Sequence, residues 1–229
     1  MRLARILDVL VDGEGSDPRR ALDRLCRACV QELEVTGAGL ALIFGGGHRG
    51  TIGVSDGRVA RVEELQFTLG EGPCLDAHES GRPVLEARLA ESSRWPTFGP
   101  EAVEAGVAAV FSVPLRRGAA RFGVLDLYCD APGPLGPGVL ADAVAVAEAA
   151  TTLVTEVQAR APSGSLPDLL GELAEQRAVV HQATGMVSVQ LGVTLEEALV
   201  ALRARSYSEG RTVGIVATEV VTRLVRFNQ

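Results

Sequence analysis

Two apolar runs, VAAVFSVPLR over residues 107–116 and RFGVLDLYCD over 121–130, lie four residues apart. A connection that short folds the second run back along the first, so the pair reads as an antiparallel hairpin at the centre of a sheet. At a period of two, Phe122, Val124, Asp126 and Tyr128 share one face, and Leu125, Leu127 and Cys129 share the other. Asp126 stands out in mid-strand. A carboxylate there is either hydrogen-bonded by its neighbours or lies under a ligand.

The segments before the hairpin supply the rest of one domain. Residues 1–17 read as a short apolar stretch and a loosely attached leader. Asp17-Pro18 opens a helix with proline at its first position, running to about Val35. GLALIF and TIGVS form a second hairpin across Gly45, Gly46 and Gly47, with His48 as a solvated turn residue. That turn is no phosphate loop, because no G-x-G-x-x-G leads into a helix and the chain has no lysine. A helix to about Gln66 follows, then the sharp LGEGPC turn, a helical turn closed by Gly81, and the strand candidate RPVLEA. Trp95-Pro96 closes a loop before a helix at Pro100–Ala105. After the central hairpin, Val139–Ala159 is one alanine-rich helix and RAPSGSLP a linker. The order implies an α/β sandwich whose antiparallel sheet has a concave face and flanking helices.

The tail, Leu166–Phe227, changes period. Leu169, Leu173, Val180, Ala183 and Val187 mark one helical stripe that ends at the Gly192 turn. In GVTLEEA, Thr194 and Glu197 form a capping box for a second helix that buries Leu195, Ala198, Leu199 and Leu202. Thr212 caps a third, with Val213, Val216, Ala217, Val220 and Leu224 facing inward. Gly185 in mid-helix implies close packing against another helix, since glycine there costs about 1 kcal/mol against alanine. Three helices in so short a tail suit a recognition module better than a pocket enzyme. The polar faces carry Arg177, His181, Gln182 and Thr184, then Arg203, Arg205 and Ser206, then Arg211. Such a face fits nucleic-acid contact, dimerisation or plain solvation.

Charge narrows the partners. All 22 basic residues are arginine against 29 acidic ones, a formal net charge of −7. The tail holds 6 arginines and 7 acids, so any nucleic acid would meet a local arginine face and not a basic domain. The N-terminus lacks the apolar core and cleavage site of an export signal and no apolar run is long enough to span a membrane, which gives a cytoplasmic expectation. Cys26 and Cys29 form C-x-x-C inside a helical pattern where both face the core, and no second pair or histidine cluster accompanies them, which reads as buried hydrophobes and no metal site. Cys74 follows a rigid turn at a candidate helix start, where amides lower a thiol pKa, with His78 four residues on. It reads as a structural cysteine or a redox sensor.

At this point families come into view. The tail resembles the ANTAR domain, the helical RNA-binding module of bacterial transcription antiterminators. The resemblance rests on Arg177, Ala183, Thr184, Gly185 and Met186 in the first helix, LGVTLEEAL across the turn, LRARS with Arg203 and Ser206, and VGIVATEVV at the end. The family pattern usually carries lysine where this chain has Thr184, which removes one charge from the presumed RNA face. Upstream, LGEGPCLDA, WPTF, GVAAVFSVPLR and FGVLDLY resemble a GAF domain of the type that precedes ANTAR modules in actinobacteria.

The implied architecture is a GAF-like sensory domain at 18–159, a linker at 160–165 and an all-α, three-helix ANTAR domain at 166–227. The implied function is a dimeric, signal-responsive antitermination regulator that binds hairpin RNA in nascent transcripts. Arg177, His181, Gln182, Thr184, Arg203, Arg205 and Arg211 are then the RNA-facing candidates, Ala183, Gly185 and Leu202 the structural ones, and Cys74 and Asp126 the candidates for a GAF ligand or redox signal. Neither the cofactor nor the GAF ligand is named by the sequence. The alternative is a small-molecule or redox sensor whose tail dimerises or binds a protein, with a free-standing enzyme third.

Overall fold

The computed structural model of the chain describes residues 2–11, 18–44, 48–160 and 168–228, with the side chains of 10–11, 18, 44, 48–49, 157–160 and 168–177 outside the description. Two helices, α1 (Arg2–Val11) and α2 (Pro18–Glu32), precede a hairpin of β1 (Gly37–Phe44) and β2 (His48–Val54). Helices α3 (Gly57–Leu69) and α4 (Pro73–Ser80), the short strand β3 (Val84–Glu86), a 3-10 turn and α5 (Phe98–Glu104) lead to the central pair β4 (Ala109–Arg117) and β5 (Ala120–Cys129). Helix α6 (Val139–Arg160) closes the domain. The tail is α7 (Asp168–Leu191), α8 (Leu195–Ser208) and α9 (Val213–Val221).

The five strands form one antiparallel sheet in the order β2-β1-β5-β4-β3. The expected hairpin is therefore central, with β5 between β1 and β4. Both faces are covered. Leu125 and Leu127 of β5 join a core built with α1, α2 and α6, including Ile6, Leu25, Cys26, Cys29 and Val146. Val124 and Tyr128 join the opposite core with Cys74, Trp95 and Phe98. Phe122 departs from strict alternation and packs with Leu125 and Leu127. It is the residue skipped in the ladder, where the pairing passes from Leu115 with Gly123 to Arg116 with Arg121.

The leader reading is corrected. Helix α1 packs on α2 and α6, its Ile6 is fully buried, and Leu3 and Val9 pack against the same core. Spacings of three put these apolar residues on one face, and the Arg5 guanidinium meets the Glu32 carboxylate from outside that core. Cys26 and Cys29 sit in this core as expected, where burial raises both thiol pKa values, that of Cys29 to about 12. The triple-glycine turn and residues 161–167 lie outside the described residues, and so does the side chain of His48. Among the described residues no single helix is long and apolar enough to cross a membrane.

The tail packs as three helices around Val180, Ala183, Val187, Ala198, Leu202, Val213, Val216, Ala217 and Val220. Two expected members do not take part: Leu195 is 62% exposed at the first position of α8, and Leu224 is 79% exposed beyond the end of α9.

Candidate nucleic-acid interface and the joint with the sensor domain

The tail's frame follows from its caps. Thr194 Oγ1 accepts from the Glu197 amide while the Glu197 carboxylate accepts from the Thr194 amide, so the capping box is present in full. Thr212 Oγ1 accepts from the Ile215 amide and starts α9. These two caps fix where α8 leaves α7 and where α9 leaves α8, which sets the positions of the candidate side chains.

Those candidates separate into four environments. His181 and Gln182 are exposed on α7. Thr184 is not on the surface: it is 5% exposed and its hydroxyl donates to the Val180 carbonyl at 2.7 Å. Its spacing of four from Val180 and three from Val187 places it on the apolar stripe. Arg205 and Arg211 are engaged in a chain of alternating charge. Arg205 Nε donates to Glu209 at 2.7 Å, Arg211 Nη1 donates to the other Glu209 oxygen at 3.1 Å, and Arg211 Nη2 donates to Glu219. Hydrogen bonds from the arginines hold both glutamates below the usual carboxylate range, while the Glu219 bond raises the Arg211 pKa. Arg205 also donates to the Arg226 carbonyl and lies over the Phe227 ring, so this chain ties the C-terminal residues to α8. Arg177 is on α7, but its side chain lies outside the described residues.

Arg203 forms the fourth environment. It extends from α8 onto the sensor domain, lying against Gly70 at the left-handed end of α3. Its Nε is buried without a hydrogen-bond partner among the described residues, and burial lowers its pKa. Beside it, Phe67 of α3 packs into the tail core, and Tyr207 of α8 donates its hydroxyl to Glu101 of α5 at 2.6 Å. A cleft of about 540 Å³ opens alongside, with Arg61, Leu65 and Glu101 on one wall and Tyr207, Arg211 and Thr212 on the other. Sequence reasoning did not find this joint, because α3 and α8 are distant along the chain and neither carries a motif for the other.

Of the structural candidates, Ala183 and Leu202 are fully buried in the tail core. Gly185 is different. A Cβ added there would meet nothing within 4 Å, so the expected close packing against another helix is not found among the described residues.

In the sensor domain, Asp126 is fully buried and accepts from the Ser112 hydroxyl across the β4–β5 pair. On the same sheet face, Tyr128 donates to Glu63 at 2.7 Å and accepts from Gln66 at 3.0 Å, and Gln66 accepts from the Cys74 amide at 3.0 Å. Cys74 is fully buried at the start of α4. His78 is half-buried one turn later, with Nδ1 buried and unpartnered among the described residues and its pKa lowered by burial, with the Arg121 charge acting the same way. The protein's own polar side chains thus bond one another across this face of the sheet. Glu63 fills the space above Gly39, its carboxylate 2.5 Å from where a Cβ would stand. No group of three or more metal-ligating side chains converges among the described residues.

Comparison with known proteins agrees with this division. A GAF domain matches residues 15–157 and an ANTAR domain matches residues 170–221. The fold is similar to the GAF domain of a phosphoenolpyruvate-protein phosphotransferase from Acinetobacter (13% identity, TM-score 0.56, 69% of this chain and 96% of that one). It is also similar to the GAF domain of the Coxiella burnetii phosphoenolpyruvate-protein phosphotransferase (15% identity, TM-score 0.57, 69% and 97%). A third is the GAF domain region of a membrane protein from Geobacter sulfurreducens (17% identity, TM-score 0.51, 68% and 98%). At these identities the likeness is one of fold. No curated protein matches the chain.

Proposed function

From a chain that belongs to the GAF domain family and carries an ANTAR domain, an RNA-binding antitermination module, behind its sensor domain, we propose a cytoplasmic regulator that binds hairpin RNA in nascent transcripts. By occupying a leader hairpin it prevents the terminator from forming. The observation that carries this reading is the succession of the two domains, joined by a direct contact between α3 and α8. A sensor that touches its output domain has a physical route for its signal.

The RNA contacts assigned here are Arg177, His181 and Gln182 on α7 and Arg203 on α8. Arginine neutralises phosphate, and the exposed amide and imidazole offer hydrogen bonds to unstacked loop bases. Arg205 and Arg211 act differently: they brace the α8–α9 turn. Thr184 contributes packing and no RNA contact. The functional protein is a homodimer, for which the outer side of α6, with Ala141, Glu148 and Thr152 exposed, offers a face its own domain does not cover. Exclusive use of arginine fits the GC-rich actinobacterial origin that the sequence resemblance implies.

Recovering RNA crosslinked to the chain in its native host tests the reading. The expected yield is enriched leader segments able to form hairpins. Recovery of no RNA above an untagged control would favour a sensor whose tail binds a protein.

A further inference from the structure

The joint between α3 and α8 has an uneven energy balance. Phe67 buries apolar surface in the tail core and the Tyr207–Glu101 hydrogen bond adds a polar tie, both of which favour docking. Against them stands the Arg203 guanidinium, partly desolvated over Gly70, with Nε buried and unpartnered among the described residues. A cation taken from water without a counter-charge opposes the contact that buries it. The buried Arg203 cation therefore makes the docked arrangement weaker than its apolar and polar contacts alone would make it.

The same arrangement engages the described arginines of the candidate RNA face. Of the three candidate arginines whose side chains are described, Arg205 and Arg211 are neutralised by Glu209 and Glu219, and Arg203 is turned onto the sensor domain. Gln182 and His181 are the exposed ones among the described candidates. RNA affinity depends on arginine reaching phosphate. When α8 leaves α3, Arg203 regains solvent and becomes available to phosphate oxygens.

We propose that helix α8 is a shared surface, held either by α3 of the chain's own GAF domain or by RNA, with Arg203 as the group for which the two compete. The proposal rests on the RNA-binding reading above. It places the control of that site at the joint, through the fraction of molecules in which α8 is undocked. A state that is only a minor fraction of the population lowers apparent affinity by that fraction.

The test uses the full chain and one RNA hairpin, selected from a random-loop library on the Glu101→Ala variant. Hairpin affinity is measured for the wild type, Phe67→Asp, Glu101→Ala, Arg203→Gln and the double variant Phe67→Asp with Arg203→Gln, and thermal melting checks that each folds. Glu101 is half-buried and outside the core, so its variant keeps the test valid if Phe67→Asp does not fold; Arg203→Gln is then paired with it. The expected result is about tenfold tighter binding when either sensor-side contact is removed, and loss of that gain when Arg203 is replaced. Arg203→Gln alone should weaken wild-type binding by about tenfold or more, the factor it costs the opened variants, because only the undocked fraction binds RNA. Equal binding by the wild type and both opened variants would overturn the competition while leaving the RNA reading intact. A gain that survives Arg203→Gln would overturn the assignment of the shared group. No binding by any of the proteins would remove the RNA reading itself.

Discussion

Gly185 is the residue whose role its own chain does not explain. It sits in the interior of α7, where glycine costs about 1 kcal/mol against alanine, and a Cβ would enter open space. Gly185→Ala should therefore raise the stability of the tail by up to about 1 kcal/mol, read as a higher melting temperature. If RNA or a second copy approaches α7 closely at this point, the same change weakens RNA binding or dimerisation. Higher stability with both unaffected would show that the glycine serves no contact. Thr184 makes the complementary case. Three of the apolar positions that predicted the stripe, Val180, Ala183 and Val187, are buried, and their spacing put Thr184 among them. Its hydroxyl, grouped with Arg177, His181 and Gln182 as polar, places it on the candidate RNA face instead. Arg203 was legible as a charged position on α8, but its partner surface was not, because the Gly70 conformation that admits it depends on how α3 ends.

At the scale of elements, features set by neighbouring residues are legible in the sequence and those set by contacts across the chain are not. The Thr194 capping box, the Thr212 cap, proline at the start of α2 and the central β4–β5 pair all needed only nearby residues, and all are present. Asp56, which caps α3 by accepting from the Arg58 and Val59 amides, was missed although aspartate before Gly57 is a usable signal. Helix α1 was missed because a ten-residue amphipathic segment is marginal alone and depends on α2 and α6 for its buried face. Burial of Leu195 and Leu224 was overread from period alone: the first side chain after a cap and the residues past a helix end need not follow the stripe. Thr194→Ala removes the single hydroxyl that both accepts from the Glu197 amide and donates to its carboxylate. It should cost the tail about 1 kcal/mol, measured by chemical denaturation, with the melting of the sensor domain unchanged.

The whole molecule adds the ion chain that joins α8, α9 and the C-terminal residues. Glu209 and Glu219 have folded pKa values depressed below 4.5 by their arginine partners. A depressed carboxylate stabilises the fold above its unfolded pKa and loses that contribution as pH falls through the folded value. The tail should therefore hold its melting temperature from neutral pH down to about 4.5 and lose it below, and Arg211→Gln should flatten part of that acid fall. A fall centred near pH 6.5 would point to histidine instead.

The same scale holds the central claim, that this acidic chain of net charge −7 binds RNA through a few arginines on a near-neutral tail. A small number of phosphate contacts gives a shallow but definite salt dependence, with a slope of about −0.7 per contact for single-stranded RNA. The most direct measurement is the affinity of the purified full chain for native leader hairpins as salt rises from about 50 to 200 mM. The account predicts selective binding to one hairpin class that weakens several-fold over that range. Absence of binding across the hairpins, or binding that is indifferent to salt, would contradict it.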